Sequence, residues 1–407
     1  MSANMDGAGH CTRCGLCMSV CPTYREEALE PMAPRGRVAL VKHLSQGGLS
    51  PSRHLARYID SCLDCLACTQ VCPSGVEVEK LVRGARVRVQ VGRRASLMRR
   101  LVERLLPSRR GQEIASLPLR LFRRSGMARL LPPPLRIIDD LPPLSRPLHY
   151  RIPRVVEAGE GRKQRVGYFL NCAQNLVYPT TARVTLDLLA RSSCEVVVPR
   201  QIECCGMPFM ASGDIERARG LARRNLDAFA RTGVEAVITD CATCGSFLRG
   251  YDELLGDDPR YAGMAQSFSR KVQDISQFLV RSLETGDGLR KSPVRVTYHD
   301  PCHLARGLGV RREPRDILRL IPGVELVEMT NANWCCGGAG TYVLDHYELS
   351  RRVLARKVAN IAATGAEIVA TGCPSCRLQI GRGLKAAGIR AEVVHPVELL
   401  HRALPPP

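Results

Sequence analysis

One cysteine pattern occurs twice in the chain. Cys172, the adjacent pair Cys204 and Cys205, and then Cys241 and Cys244 recur as Cys302, Cys335 and Cys336, and Cys373 and Cys376, at offsets of 130, 131, 131, 132 and 132 residues. The flanks repeat too: GVEAVITDC ends at Cys241 and GAEIVATGC at Cys373. An internal duplication explains this, so the chain must build one unit twice. Adjacent cysteines pair poorly with each other. A relaxed disulfide wants Cα atoms roughly 4.4–6.8 Å apart, whereas a trans peptide holds neighbours at about 3.8 Å. Both sulfurs of each pair are therefore read as aimed at a metal.

Each copy has the same texture. A β-branched run, RVGYFLNC or VRVTYHDPC, leads to the first cysteine, and a helical segment follows, TARVTLDLLARS or PRDILRLI. CEVVVP or VELVEM reads as the next strand, then the adjacent pair, then a helix ending near glycine. A last strand delivers C-x2-C. Strands alternating with helices predict a parallel sheet. The cysteines then fall at the carboxyl ends of strands, where open α/β sheets build their sites. The reading collects ten thiols at two mouths, five per half.

The front of the chain carries a different pattern. CTRCGLCMSVCP sets Cys11, Cys14, Cys17 and Cys21 in C-x2-C-x2-C-x3-C-P, and CLDCLACTQVCP repeats the spacing with Cys62, Cys65, Cys68 and Cys72. This is the spacing of two-cluster bacterial ferredoxins, in which the fourth cysteine of each run serves the other cubane [4Fe–4S] cluster. That arrangement gives one cluster Cys11, Cys14, Cys17 and Cys72, and the other Cys62, Cys65, Cys68 and Cys21. Zinc ribbons also use C-x2-C pairs, but two matching fourfold runs with trailing proline favour iron–sulfur. The interval between the runs, with PRGRVALVKHL and HLARYI, predicts helices joined by a glycine-containing turn.

Composition narrows the rest. The chain has 407 residues, 45% hydrophobic with a single Trp, which suits a globular protein of two or three domains. It shows no 18-residue apolar run, and its start, MSANMDGAGHCTRC, lacks the apolar core of a secretion signal. A cytoplasmic location is the expectation, where 19 cysteines signify metal or redox chemistry rather than structural disulfides. Residues 81–130 hold 14 Arg against Glu103 and Glu113, interleaved with leucines. That pattern suits a membrane surface or an acidic partner, or simply a solvated helix face. Despite the net charge of +20, nothing resembles a nucleic-acid-binding motif, and no nucleic-acid partner is expected. The Pro-rich stretch 131–153 reads as an extended linker. The expected organisation is a ferredoxin-like domain at 1–92, a basic amphipathic and Pro-rich linker at 93–160, and the duplicated units at 161–290 and 291–407. Cys194 has no counterpart in the second copy and reads as a small buried hydrophobe. His299 and His303 flank Cys302 and are read as neighbours that hydrogen-bond a cluster or relay a proton. Trp334 is expected to pack over the site.

Taken together, C…CCG…CxxC in tandem behind two ferredoxin runs resembles the iron–sulfur subunits of glycolate oxidase and the related D-lactate dehydrogenases. CPTYREE, PRGRVALVKHL and CCGGAGTY are similar to that family, and the resemblance covers nearly the whole chain. The architecture is shared with D-type heterodisulfide reductase subunits and the small subunit of anaerobic glycerol-3-phosphate dehydrogenase. It implies an α/β fold class: a helical two-cluster ferredoxin domain followed by two duplicated Rossmann-like α/β CCG domains. By resemblance to heterodisulfide reductase, Cys172, Cys204, Cys205, Cys241 and Cys244, and then Cys302, Cys335, Cys336, Cys373 and Cys376, hold one or two noncubane [4Fe–4S] clusters through bridging thiolates. No G-x-G-x-x-G fingerprint opens a βαβ unit, so FAD is expected on a partner subunit. The implied function is electron transfer within a respiratory complex. A flavoprotein would oxidise glycolate or D-lactate, and this chain would pass electrons to a quinone or carrier protein, with 93–130 touching the cytoplasmic face of the membrane. The alternative implied is thiol–disulfide chemistry at the noncubane clusters themselves.

Overall fold

The computed structural model describes residues 6–89, 97–131, 138–144, 146–158, 164–283 and 288–405. Two sheets carry the duplicated units. The first contains β1 (Val155–Val156), β2 (Gln164–Tyr168), β3 (Cys194–Val197), β4 (Ala236–Thr239) and β5 (Val272–Asp274) in the order β1-β3-β2-β4-β5. All neighbours are parallel except β1 with β3. The second contains β6 (Val294–Tyr298), β7 (Val324–Leu326), β8 (Ile368–Ala370) and β9 (Glu392–Val394), parallel throughout in the order β7-β6-β8-β9. The registers repeat: Tyr168 lies opposite Ile238, and Tyr298 opposite Ala370. Both tyrosines are fully buried. The central strands are apolar on both faces because helices cover both faces, as parallel sheets require.

The helices separate into shared and outer layers. Segments Pro179–Arg191, Ile275–Ser282, Glu313–Leu320 and Pro396–Ala403 pack between the sheets, in one apolar cluster that runs from Val166 and Ile238 to Val296 and Ile368. On the far side of the first sheet, Ile215–Ala230 and Ala242–Arg249 close a second core. Tyr347–Ala362 and Pro374–Ala386 close its counterpart on the second sheet. The two halves are therefore one body with a common core. Cys194, in β3, is 1% exposed within that core, in keeping with its lack of a repeat partner.

The helical front module has its own apolar core, built by Val38 and Val41 from Pro34–Ser45, Ile59 from Arg53–Asp60 and Val82 and Ala85 from Val78–Val89. Ser52 caps the middle helix by accepting from the Leu55 N–H at 3.2 Å. Of the segment 93–130, residues 93–96 lie outside the described residues. The remainder forms helices Leu97–Leu105 and Arg109–Arg124. The expected extended linker at 131–153 requires correction. Residues 132–137 and 145 lie outside the described residues, but Leu148–Tyr150 forms a tight 3-10 turn. Leu148 is completely buried in the inter-sheet core, and the His149 N–H donates to Asn175 Oδ1 at 2.9 Å. Proline content prescribes stiffness but not docking; one leucine with an apolar slot decides that.

Candidate metal centres

The two front loops share a backbone device. Arg13 and Gly15 have φ of 61° and 89°, and their counterparts Asp64 and Leu66 have 53° and 62°. Alternating the hand of the backbone winds each loop into a nest whose N–H groups suit an anionic cluster. Left-handed Asp64 is held by Arg83, whose Nε donates to its carboxylate at 3.0 Å. Cys21, Cys62, Cys65 and Cys68 line one cavity. The Cys68 thiol is pushed well up by burial and by the proximity of Cys62, Cys65 and Cys21. Cys17 is pushed up by burial and by Cys11, Cys21 and Cys14. Thr12 and Ser74, 3.5 Å apart through their hydroxyls, bring the Cys72 end of the second run against the first. Arg37, from the PRGR segment, is 1% exposed and donates to Thr23 Oγ1 at 2.9 Å, Ser61 Oγ at 2.8 Å and the Tyr58 carbonyl at 2.9 Å. It also sits 4.0 Å from Cys21 Sγ, as a fixed cation beside the thiols.

In each duplicated unit the order of strands explains where the thiols meet. The winding of the chain reverses across the sheet between β2 and β4, and between β6 and β8, and a crevice opens there at the carboxyl ends. Cys172 and Cys241 leave the ends of β2 and β4, and Cys204 and Cys205 follow β3. Cys172 adjoins Cys204, Cys204 adjoins Cys205, and Cys205 adjoins Cys244, which adjoins Cys241. In the second unit Cys302 adjoins Cys335, Cys336 lies between Cys335 and Cys376, and Cys376 adjoins Cys373.

The two mouths meet. Cys241 of the first unit contacts Cys373 of the second. The Ala242 N–H donates to the Gly372 carbonyl at 3.0 Å across the junction, and Thr243 Oγ1 lies 3.5 Å from Cys373 Sγ. Helix Ala242–Arg249 packs on the π-helical turn His303–Leu308, a geometry often found at functional sites. Gly307 permits this approach, since a Cβ there would stand 2.1 Å from Ser246 Oγ. At the other end, Cys335 contacts Cys65 of the front module. One unbroken series of sulfurs thus runs from the front module through the second unit into the first.

Five sulfurs in contact cannot all ionise side by side unless cations sit among them. The donor set fits iron–sulfur clusters: soft thiolates in a dry, buried setting. A second observation agrees. His299 is 1% exposed, neither ring nitrogen has a hydrogen-bond partner among the described residues, and its ligand atom lies within 4.8 Å of those of Cys336 and Cys376. Burial and nearby Lys357 pull its pKa down to about 3, so the ring is neutral. His303 holds Nδ1 3.8 Å from Cys302 Sγ. Trp334 stacks under the Arg25 guanidinium at 3.9 Å, so it also ties the front module to the second unit.

Two cations escaped sequence reasoning. Arg109 donates to the Leu170 carbonyl at 2.6 Å and stands beside Cys172 and Cys204. Burial lowers its pKa to about 10, which leaves it charged at neutral pH. Lys357, 1% exposed, donates to the carbonyls of Asn331 at 2.8 Å and Ala332 at 3.1 Å beside Cys335 and Cys336. Neither stood out among 59 Lys and Arg. At Lys357 the repeat itself held a signal, because the aligned residue of the first unit is Asn225.

The turn between the adjacent cysteines and the next helix is strict. Gly337 has φ of 80°, and a Cβ there would stand 2.7 Å from the Ser350 carbonyl oxygen. Gly337→Ala is expected to cost about 2 kcal/mol or more, because both the left-handed backbone and the contact oppose a side chain. Thermal unfolding of the anaerobic protein checks this; an unchanged midpoint contradicts it.

Such a fold, with thiols massed at strand ends behind a ferredoxin module, defines an iron–sulfur subunit of an oxidoreductase. Sequence comparison agrees. The cysteine-rich CCG domain model matches residues 166–249 and 296–381, and the 4Fe-4S dicluster domain model matches 7–76. The chain is 36% identical to the probable glycolate oxidase iron-sulfur subunit of Bacillus subtilis, over 97% of this chain and 93% of that one. It is 28% identical to the glycolate oxidase iron-sulfur subunit of Escherichia coli, over the same shares. It is 30% identical to a subunit of the CoM/CoB fumarate reductase of Methanothermobacter marburgensis, over 97% of this chain and 72% of that one. A crystal structure of a hypothetical protein from Helicobacter pylori shares the fold, with a TM-score of 0.52 at 8% identity, over 92% of this chain and 68% of that one. The chain belongs to the family of glycolate oxidase iron–sulfur subunits.

Proposed function

We propose that the chain is the electron wire of a 2-hydroxy-acid dehydrogenase complex. A partner flavoprotein removes two electrons from glycolate or D-lactate, and iron–sulfur clusters here carry them singly to a quinone or carrier protein. The observation that carries this reading is the continuous sulfur series from Cys65 through Cys335 and Cys373 to Cys241. Cys11, Cys14, Cys17 and Cys72 would hold one cubane, and Cys62, Cys65, Cys68 and Cys21 the other. Each set of five in the duplicated units would hold a further cluster, with Arg37, Arg109 and Lys357 offsetting the charge of the clusters they adjoin. Bound clusters supply reversible one-electron storage, tuned by hydrogen bonding and burial. Iron analysis of anaerobically purified protein tests this: about sixteen irons per chain supports four clusters, and about eight restricts the wire to the front module.

The contact of Cys241 with Cys373 also suits a second reading, in which two facing clusters handle a substrate disulfide. A new paramagnetic signal after oxidation in the presence of thiol would favour it over the wire.

No helix among the described residues is long and apolar enough to cross a membrane. Contact with a bilayer would instead use helix Arg109–Arg124, which leaves Ile114, Leu117 and Leu121 exposed among arginines. These positions lie on neighbouring turns, as an interfacial helix requires. Replacing Arg120, Arg123 and Arg124 by Glu should abolish co-sedimentation with anionic vesicles; undiminished binding would remove this segment from consideration.

A further inference from the structure

We propose that the cleft where the front module meets both duplicated units is a binding site for a quinone-class acceptor, its head group seated against His303. This rests on the electron-transfer reading above and gives the wire its terminus. The cleft holds about 420 Å³, within the range of small-ligand sites. All three parts of the chain wall it: Leu66 and Thr69 from the front module, Met207 and Phe247 from the first unit, and His303 from the second.

His303 is the residue that points to a ligand. It is 8% exposed, and its Nε2 has no hydrogen-bond partner among the described residues. A buried polar nitrogen left unsatisfied is costly, and this one, nearly without surface of its own on the cleft that its ring lines, would be satisfied by an occupant after a small turn of the ring. Its other nitrogen faces Cys302 Sγ at 3.8 Å. The same ring therefore touches a thiol of the second unit and the space in the cleft. Leu66, which lines the same space, lies in the loop between Cys65 and Cys68. An acceptor here would sit against residues of two of the proposed clusters.

The charges favour a neutral ligand over a carboxylate or phosphate. Every cation lining the cleft is already engaged. Arg83 is paired with Asp64 at 2.9 Å, and Lys80 with Glu77 and Glu253 at 2.8 Å each. Arg306 donates to the carbonyls of Cys65 at 3.1 Å and Asn333 at 2.7 Å. Glu79 also faces the space, and burial raises its pKa. An anion would meet Glu77, Glu79 and Glu253, and the one lining cation that is not ion-paired among the described residues, Arg306, is held by two carbonyls. A flat dione would meet the polarisable Met207 and the Phe247 ring, with a carbonyl oxygen accepting from His303 Nε2–H. The step balances: the quinone takes two electrons, delivered singly from clusters filled by hydroxy-acid oxidation on the partner, and two protons from solvent through the open cleft. It leaves as the quinol, and the acid becomes the 2-oxo acid.

The test uses the full iron-loaded chain, chemically reduced without oxygen and mixed with a short-tailed soluble quinone while cluster reoxidation is followed by rapid mixing. Rates that saturate with quinone are expected. His303→Leu should weaken the apparent affinity about tenfold, the loss of one hydrogen bond from a buried site. Gln70→Trp, at the exposed rim, should weaken it comparably by filling the cleft with iron content unchanged. A small inorganic oxidant should reoxidise the wild-type and Gln70→Trp proteins alike. Rates linear in quinone, saturation indifferent to Gln70→Trp, or saturation by a disulfide in place of quinone would each overturn the proposal. If His303→Leu loses iron, the Gln70→Trp result decides. A wild-type chain without reducible clusters would instead refute the electron-transfer reading, before any quinone is added.

Discussion

Cys336→Ser should remove about four irons from the anaerobically purified chain and reduce electron delivery by the reconstituted complex to background. Cys336 is 3% exposed, lies between Cys335 and Cys376, and shares its surroundings with His299 and Lys357. Hydrogen bonds from both neighbouring thiols hold its pKa well below the ordinary thiol range, so it is primed as a thiolate ligand. Serine keeps the volume but offers a hard, weakly acidic oxygen where iron wants sulfur. The control is Cys194→Ser: Cys194 lies in the inter-sheet core, so its replacement should lower stability and leave iron unchanged. Iron analysis and paramagnetic resonance of both variants decide the matter. Full iron content in the Cys336 variant would take that residue out of the ligand set.

The second large effect is expected at Arg109. Its guanidinium is buried beside Cys172 and Cys204, so the first unit draws its cation from outside the repeat, whereas the second draws Lys357 from within it. Arg109→Met would leave cluster charge uncompensated in a low-dielectric site. A charge about 5 Å away at an effective dielectric of about 20 is worth about 3 kcal/mol, or on the order of 100 mV for one electron. The first-unit potential should move negative by that order, because the more anionic reduced state loses most. Arg109→Lys should recover part of the shift. A redox titration reads it directly, and an unmoved potential would reduce Arg109 to tying the helix to the Leu170 carbonyl.

These predictions differ between the units because the duplication has diverged around its cysteines. Phe169 of the first unit aligns with His299 of the second, and Asn225 with Lys357. In the first, Asn225 bridges backbone and the Tyr251 hydroxyl, donating to the Cys204 carbonyl at 3.0 Å. In the second, a charged amine takes that place and donates to loop carbonyls. Asp240 accepts from the Tyr168 hydroxyl at 2.6 Å, whereas Gly372 replaces it in the second unit and the Tyr298 hydroxyl has no hydrogen-bond partner among the described residues. Equal thiols in unequal surroundings should have unequal potentials.

The sequence alone determined the duplication, the parallel α/β class and the chemistry of the thiols. Those follow from short-range rules: apolar runs form buried strands, glycine closes helices, and close-spaced cysteines select metal. It also placed the strands and helices near their observed positions, because each copy corroborated the other. What only the tertiary structure decided was distance between parts far apart in sequence. Nothing in GVEAVITDC or GAEIVATGC says that Cys241 and Cys373 meet, nor does either ferredoxin run announce that Cys65 reaches Cys335. Those contacts depend on how two sheets share one layer of helices and on small residues such as Gly307 allowing backbones to close. Arg109 is the sharpest case. One arginine among many in a basic stretch became a buried cation because its helix docks beside Cys204, whose N–H donates to the Pro107 carbonyl at 2.8 Å. Composition fixes how many charges a chain carries, but packing selects the few that lose their water, and those govern the site.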